Sequence, residues 1–244
     1  MRLAARLAGL VVLLIPGATL ATDCVGTVYL TLDTGSMAQA EDIARVLQAE
    51  QIRATFFVAN EKTIRGDRAL DASWAGYWKA RVAEGHTFGN HTWSHHYARA
   101  DEGDRIAALS IEGRAVSMDR ATFCAELRRV DEAWERLTGR RLAPMWRAPG
   151  GRTTQQGIRW AGECGFAIHV GWTEGGYVGD DLPSETYPNS VLLRRALDRA
   201  KPDGILLMHL GVWQRREPAA PILEPLVKRL KARGFCFAAL QATR

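Results

Sequence analysis

Short runs of β-branched and aromatic residues alternate with stretches of helical period along most of this chain. Val28–Asp33 and Ala54–Ala59 read as strands, and Met145–Trp146, Phe166–Trp172, Ile205–Leu210 and Phe235–Leu240 follow the same pattern. The helical stretches cover roughly 38–50, 119–137, 154–164, 190–200 and 219–233. In the clearest, Asp119–Leu137, the side chains of Phe123, Leu127, Val130, Trp134 and Leu137 recur on one face, and Gly139 supplies a stop. Gly165 and Gly234 stand where two further helices would end just before a strand. The segments 60–72 and 96–118 are polar and without period, apart from a short helical possibility over Ile106–Ile111. Loops of that length are either lids over a site or surface decoration. Strand–helix alternation with no repeat and no linker predicts one α/β domain on parallel strands, as an open sheet or closed into a barrel.

Composition narrows this further. A chain of 244 residues with 47% hydrophobic and 24% charged residues has enough apolar material for one core, which excludes disordered and collagen-like architectures. The N-terminus reads as an export signal. Arg2 and Arg6 precede a nine-residue apolar run from Leu7 to Ile15, Pro16-Gly17 breaks it, and Ala18-Thr-Leu-Ala21 offers small residues for cleavage after Ala21. The run is half the length a spanning helix needs, so residues 1–21 are expected to leave and 22–244 to form the domain, with no stable membrane insertion. Lys and Arg number 32 against 27 acids, and loss of Arg2 and Arg6 leaves 30 against 27, a balance of +3. That is too weak and scattered to imply nucleic acid. Export also changes how Cys24, Cys124, Cys164 and Cys236 read, since none forms a C-x-x-C pair and two disulfides are expected instead. Closing a barrel would bring Cys24, before the first strand, to Cys236 in the last. Cys124–Cys164 then follows by subtraction.

In parallel α/β folds, active groups gather at the carboxyl ends of the strands, and the unusual polar residues fall there. Asp33 closes the first run, His91 and His95 follow Gly85–Gly89, Arg147 follows Met145–Trp146, and His209 sits near the end of Ile205–Leu210. On a helical turn, His91-Thr-Trp-Ser-His95 would put two imidazoles on one face, able to share zinc or another first-row divalent ion. Packed or surface histidines are the plain alternative, and His96 adjoins. Asp33 reads either as a turn or helix-capping residue ahead of Thr34-Gly35-Ser36 or as a general base beside a metal-bound water. Arg147-Ala-Pro-Gly-Gly151 is either a strand-ending loop or a carboxylate clamp, with the Gly150 N–H facing an oxyanion. His209, flanked by apolar residues, is either a core histidine or the acid that protonates a leaving amine.

In this order, Asp-x-Gly, His-x-x-x-His, Arg-x-Pro-x-Gly and Leu-x-His-Leu-Gly resemble the motifs of the polysaccharide deacetylases, the NodB-like group called carbohydrate esterase family four. Ala54-Thr-Phe-Phe-Val58 is similar to that family's second strand and Gly89-Asn-His-Thr-x-x-His95 to its metal motif, so the resemblance runs over about residues 27–241. It implies an irregular (β/α) barrel of about seven parallel strands with helices outside. It also implies a hydrolase that removes acetyl groups from N-acetylated sugars in peptidoglycan, chitin-like polymers or poly-N-acetylglucosamine. Carried over residue by residue, His91 and His95 would hold one divalent ion, zinc first and cobalt or manganese otherwise. Asp33 would be the base, Arg147 its orienting cation and His209 the acid, with Asp180 as the partner of His209 and Asp181 as second choice. Base and acid are expected from distant strands, on opposite sides of the carbonyl carbon. Trp93 and Trp213 are candidates for sugar stacking because each adjoins a histidine, whereas Trp172 suits core packing. One departure stands out. The family's first motif carries two consecutive acids, the second a metal ligand, and this chain has Asp33-Thr34. The ion would then sit more loosely on two histidines, or Glu61 or Glu174 would supply the donor, or the protein would bind glycans without catalysis. An O-acetyl or other C–N hydrolase is a further alternative.

Overall fold

The computed structural model describes residues 24–242, and the expected leader over 1–21 lies outside them. The described residues run β1 (Gly26–Asp33), α1 (Ala40–Ala49), β2 (Thr55–Val58), α2 (Ala75–Ala83) and β3 (Thr87–Asn90). Next come β4 (Tyr97–Glu102), β5 (Arg105–Leu109), β6 (Ala115–Met118), α3 (Arg120–Thr138), β7 (Met145–Trp146) and α4 (Gln155–Glu163). The chain ends with β8 (Ile168–His169), α5 (Asn189–Arg199), β9 (Gly204–His209), α6 (Leu223–Ala232) and β10 (Phe235–Phe237). All strands but β4–β6 join one parallel sheet of seven, flanked by the helices, as the α/β barrel expectation requires. β1 is its hub, carrying β9 along Val28–Asp33, β10 against Gly26–Val28 and β2 against Thr31–Asp33. Between β8 and β9 an irregular segment takes the place of a strand. Tyr177 bridges in parallel to Leu207, and the Leu207 N–H donates to the Gly176 carbonyl at 2.9 Å.

The elements form where the apolar period predicts. All four residues of β2 are buried, as in a strand covered on both faces. On α1, Ile43, Ala44 and Leu47 face inward, and on α3 the stripe from Phe123 to Leu137 does the same. The Asp119 carboxylate caps α3 by accepting from the Thr122 N–H at 2.8 Å, and Gly139 ends it with a left-handed φ of 72°. Aromatic rings hold α2 and α3 on the sheet, with Phe88–Trp134 centroids 4.4 Å apart and Trp78–Trp134 5.4 Å. Such rings dominate core energetics.

Two regions differ from the sequence reading. Helix α2 has no counterpart among the periodic stretches, because Tyr77, Trp78 and the buried Arg81 do not form an uninterrupted apolar stripe. The 96–118 segment contains an antiparallel three-stranded unit, and Ile106–Ile111 is not helical, since Arg105–Leu109 is β5, paired on both sides. Its signal is faint because β4 is largely exposed and few of the unit's residues, among them Ile106, Ala108 and Met118, are buried. The Gln156 side-chain amide on α4 holds the unit down by donating to the carbonyls of Gly103 at 3.1 Å and Arg105 at 3.2 Å. Both expected disulfides are present. Cys24–Cys236 ties the start of β1 to β10 across 212 residues, and Cys124–Cys164 ties α3 to the end of α4 across 40. In the chain-entropy picture, closures of these lengths contribute about 4–5 kcal/mol each.

Candidate active site

Asp33 ends β1 and Arg147 follows β7, and both side chains are almost wholly buried. Arg147 is tolerated there because its guanidinium is bonded on all three nitrogens. Nη1 donates to Asp33 Oδ1 at 2.8 Å, Nη2 to Thr31 Oγ1 and to the Gly171 carbonyl at 2.9 Å each, and Nε to the Val170 carbonyl at 3.1 Å. The Phe57 ring lies under it at 4.2 Å. Thr31 and Asp33 are two residues apart on one strand and so share its face. Burial works to raise the Asp33 pKa, but Arg147 and the imidazoles of His91 and His209 outweigh it and hold the carboxyl below its ordinary value.

His91 donates from Nδ1 to the Arg147 carbonyl at 2.9 Å, which places the lone pair of the neutral ring on Nε2. Burial, assisted by His95, keeps the His91 pKa below its usual value despite the charges of Asp33 and Glu61. The neutral Nε2 therefore meets Asp33 Oδ2 at 3.4 Å, acceptor facing acceptor, an arrangement that calls for a shared proton or cation.

His91 and His95 do not lie on a helical turn. Residues 91–96 form a loop between β3 and β4, with left-handed backbone at Thr92 (φ 65°) and His95 (φ 53°). This loop nonetheless brings the rings together, edge to face at 4.8 Å. It is pinned from α3, where Glu126 accepts from the Ser94 N–H at 2.6 Å and the Ser94 hydroxyl at 2.9 Å. Asn90 accepts from the Thr92 N–H at 2.9 Å and donates to the Leu127 carbonyl at 2.8 Å. His95 Nδ1 is buried with no hydrogen-bond partner, and Tyr97 packs on the same ring at 5.2 Å. Sequence reasoning missed both Glu126 and Tyr97. Glu126 had a signal, an acid placed on the apolar stripe of α3 between Phe123 and Leu127.

Thr34 is fully occupied. Its buried hydroxyl donates to Glu61 Oε2 at 2.7 Å and accepts from the Ala59 N–H at 3.2 Å. The Gly35 N–H donates to the same Glu61 oxygen at 2.7 Å. Burial disfavours the charged carboxylate, but His95 and His91, with these two donors, bring the Glu61 pKa below its ordinary value. Glu174, the other acid considered, is exposed in the turn after Trp172.

His209 is not far from Asp33 in space. The two residues are register partners on adjacent parallel strands. Just beyond the strand ends the two segments stay close at Gly35, where a Cβ would come within 2.2 Å of the Gly211 carbonyl oxygen. Asp180 grips His209 twice, accepting from Nδ1 at 3.0 Å and from the backbone N–H at 2.6 Å. Asp181 is bonded instead to the Tyr177 hydroxyl. Burial opposes a charged His209, but Asp180, helped by Asp33 and Asp181, lifts its pKa to about 10.

A groove of about 820 Å³ has Glu61, His95, Trp93 and Trp213 in its wall. Trp213 is exposed, while Trp93 lies under the Arg129 guanidinium at 4.2 Å. Gly150 is exposed after β7, and a Cβ on it would stand 3.0 Å from the Tyr97 ring. Trp172 lies against Gly151 and stacks on Tyr177 at 5.9 Å.

The sequence profile of the polysaccharide deacetylases matches residues 21–169, more than half of the chain. The chain belongs to the polysaccharide deacetylase family. It is 24% identical over 216 residues to a peptidoglycan-N-acetylglucosamine deacetylase of Bacillus cereus, spanning 87% of this chain and 66% of that protein's length. The fold is similar to that of the peptidoglycan deacetylase PdaC from Bacillus subtilis, with a TM-score of 0.65 at 18% identity and 88% of each chain covered. It is equally similar to a pseudoenzyme of carbohydrate esterase family four from Bacillus anthracis, with a TM-score of 0.66 at 18% identity, covering 88% of this chain and 64% of that one. The profile match stops before Asp180 and His209, so their pairing rests on geometry alone.

This deacetylase family implies a divalent ion. Among the described residues no group of three or more His, Cys, Asp or Glu side chains forms a ready-made metal cluster. The donor set still fits an ion in kind. It offers a neutral imidazole with its Nε2 lone pair presented, a second imidazole with an orphaned buried nitrogen, and nearby carboxylates.

Proposed function

We propose that this protein is an exported, metal-dependent hydrolase that removes acetyl groups from an N-acetylated cell-envelope polysaccharide. The observation that carries this reading is the pairing of Asp33 and His209, neighbours in register, with Asp33 held ionised by Arg147 and His209 held protonated by Asp180. An ionised carboxylate accepts a proton and a protonated imidazole donates one, which are the two transfers amide hydrolysis needs. A zinc, cobalt or manganese ion on His91 and His95 would supply Lewis acidity toward the acetyl carbonyl and a lowered pKa for water. Asp33 takes the proton of the attacking water while Arg147 fixes its carboxylate. The Gly150 N–H faces the developing oxyanion. His209 then protonates the sugar nitrogen from Nε2 as the C–N bond breaks, and Asp180, accepting from Nδ1, keeps the ring an oriented imidazolium until that transfer. Trp213 and Trp93 offer aromatic faces to sugar rings along the groove. Two disulfides and the leader pattern at residues 1–21 support an oxidising, exported setting, periplasmic or secreted.

The test is acetate release from peptidoglycan, chitooligosaccharides and poly-N-acetylglucosamine with each of the three metals supplied. Release is expected from at least one, with Asp33→Asn lowering kcat about 10²–10⁴-fold at unchanged metal content. No release from any of the three rejects the reading in favour of a non-catalytic glycan binder, and release only from O-acetylated sugars makes the protein an esterase.

A further inference from the structure

The geometry points to Glu61 as the anionic ligand of the cation site, standing in for the carboxylate that Thr34 cannot supply, with Thr34 as the residue that positions it. This inference rests on the reading that a divalent cation sits at His91 and His95. Two neutral imidazoles bring no charge to a dication, so an oxygen anion is needed beside them. Of the acids near the rings, Asp33 has its Oδ1 committed to Arg147, and its Oδ2, 3.4 Å from His91 Nε2, is the oxygen that takes the proton of the attacking water. Glu61 has no such second task. Both of its hydrogen bonds, from the Thr34 hydroxyl and the Gly35 N–H, fall on Oε2 and leave Oε1 for a further partner. It lines the same groove as His95, and its charge acts on both imidazoles.

The local sequence explains how it gets there. β2 ends at Val58, and the Ala59 N–H donates to Thr34 Oγ1, so the start of the following loop is tied to the end of β1. Two residues later Glu61 meets that same hydroxyl. A bonded carboxylate with one oxygen fixed and the other open is the arrangement in which an outer partner orients a ligand. An aspartate at position 34 would occupy the space this contact uses, so threonine at 34 and glutamate at 61 act as one device.

The experiment is titration of the chelator-stripped full-length protein with zinc and with cobalt, following heat release and the cobalt visible spectrum. Glu61→Gln keeps both acceptor bonds on its amide oxygen, so the fold is preserved, and circular dichroism checks this. Affinity should fall on the order of a hundred-fold in Glu61→Gln and about ten-fold in Thr34→Val. The cobalt band should lose intensity or shift in Glu61→Gln, and Thr34→Asp added to Glu61→Gln should recover affinity. His91→Ala and His95→Ala separate the two levels of the argument. If these abolish binding while Glu61→Gln leaves it unchanged, the Glu61 assignment is overturned and the cation reading stands. If none of the substitutions alters binding, the cation reading itself falls.

Discussion

The two walls of the site are completed to different degrees. On the wall formed by the ends of β1, β7 and β9, Arg147 bonds through every guanidinium nitrogen and Asp180 holds His209 by ring and backbone. On the neighbouring wall the 91–96 loop bends through two left-handed residues and leaves His95 Nδ1 buried without a partner. The first wall is held by the protein's own bonds at Arg147 and His209 and fixes two protonation states. The second keeps donor capacity and backbone strain, the pattern expected where a ligand completes the structure. Proton transfer is thus built into the rigid sheet, and ligand binding into a loop that α3 must hold in place.

The comparison can be broken most forcefully at Arg147. Arg147→Met leaves the Asp33 carboxylate buried without its cation, which should cost about 3–5 kcal/mol of stability by urea unfolding. It should also raise the pKa of Asp33. A loss below 1 kcal/mol would mean the first wall is not held by this pair. A smaller effect is expected from Glu126→Ala, which strands the Ser94 N–H and hydroxyl. Stability should fall by about 1–3 kcal/mol, and zinc affinity by about ten-fold as the imidazoles lose their fixed spacing. Unaltered zinc affinity would show that the loop needs no anchor. The mildest change is Trp213→Ala, since that ring is exposed. Thermal stability should be unchanged, and kcat/KM on an oligosaccharide should drop by about 0.5–1.5 kcal/mol, mainly through KM. A drop in kcat alone would remove Trp213 from sugar binding.

Much of the fold was legible because the buried β2 and the inward residues of β1 give short runs rich in β-branched, aromatic and aliphatic side chains, and because α3 keeps one apolar stripe. The antiparallel unit was not, since β4 is largely exposed and carries no alternation to read. At the site, Asp33, Arg147 and His209 could be named because each ends or follows a strand. The shape of the His91–His95 segment could not, as positive φ at Thr92 and His95 leaves no mark in residues other than glycine. Spacing suggested a helix, and loop geometry achieved the same meeting of rings. Glu61 was one of two acids to choose between, and its bonds from Thr34 and Gly35 and its place beside His95, none of them visible in the residue order, separate it from the exposed Glu174.

The most direct measurement is the pH dependence of kcat/KM for the wild-type protein and Asp180→Asn. His209 acts as an acid, so activity requires its protonated form, and the carboxylate of Asp180 stabilises that form. The wild-type alkaline limb should therefore lie near pH 10, where the His209 proton is lost. Removing the Asp180 charge should bring that limb down toward the ordinary imidazole value of about 6.5. The same linkage makes the stability due to the pair complete below about pH 6.5 and gone above about 10. An alkaline limb that Asp180→Asn leaves in place, or a wild-type limb already near 6.5, would contradict the assignment of His209 as the proton donor.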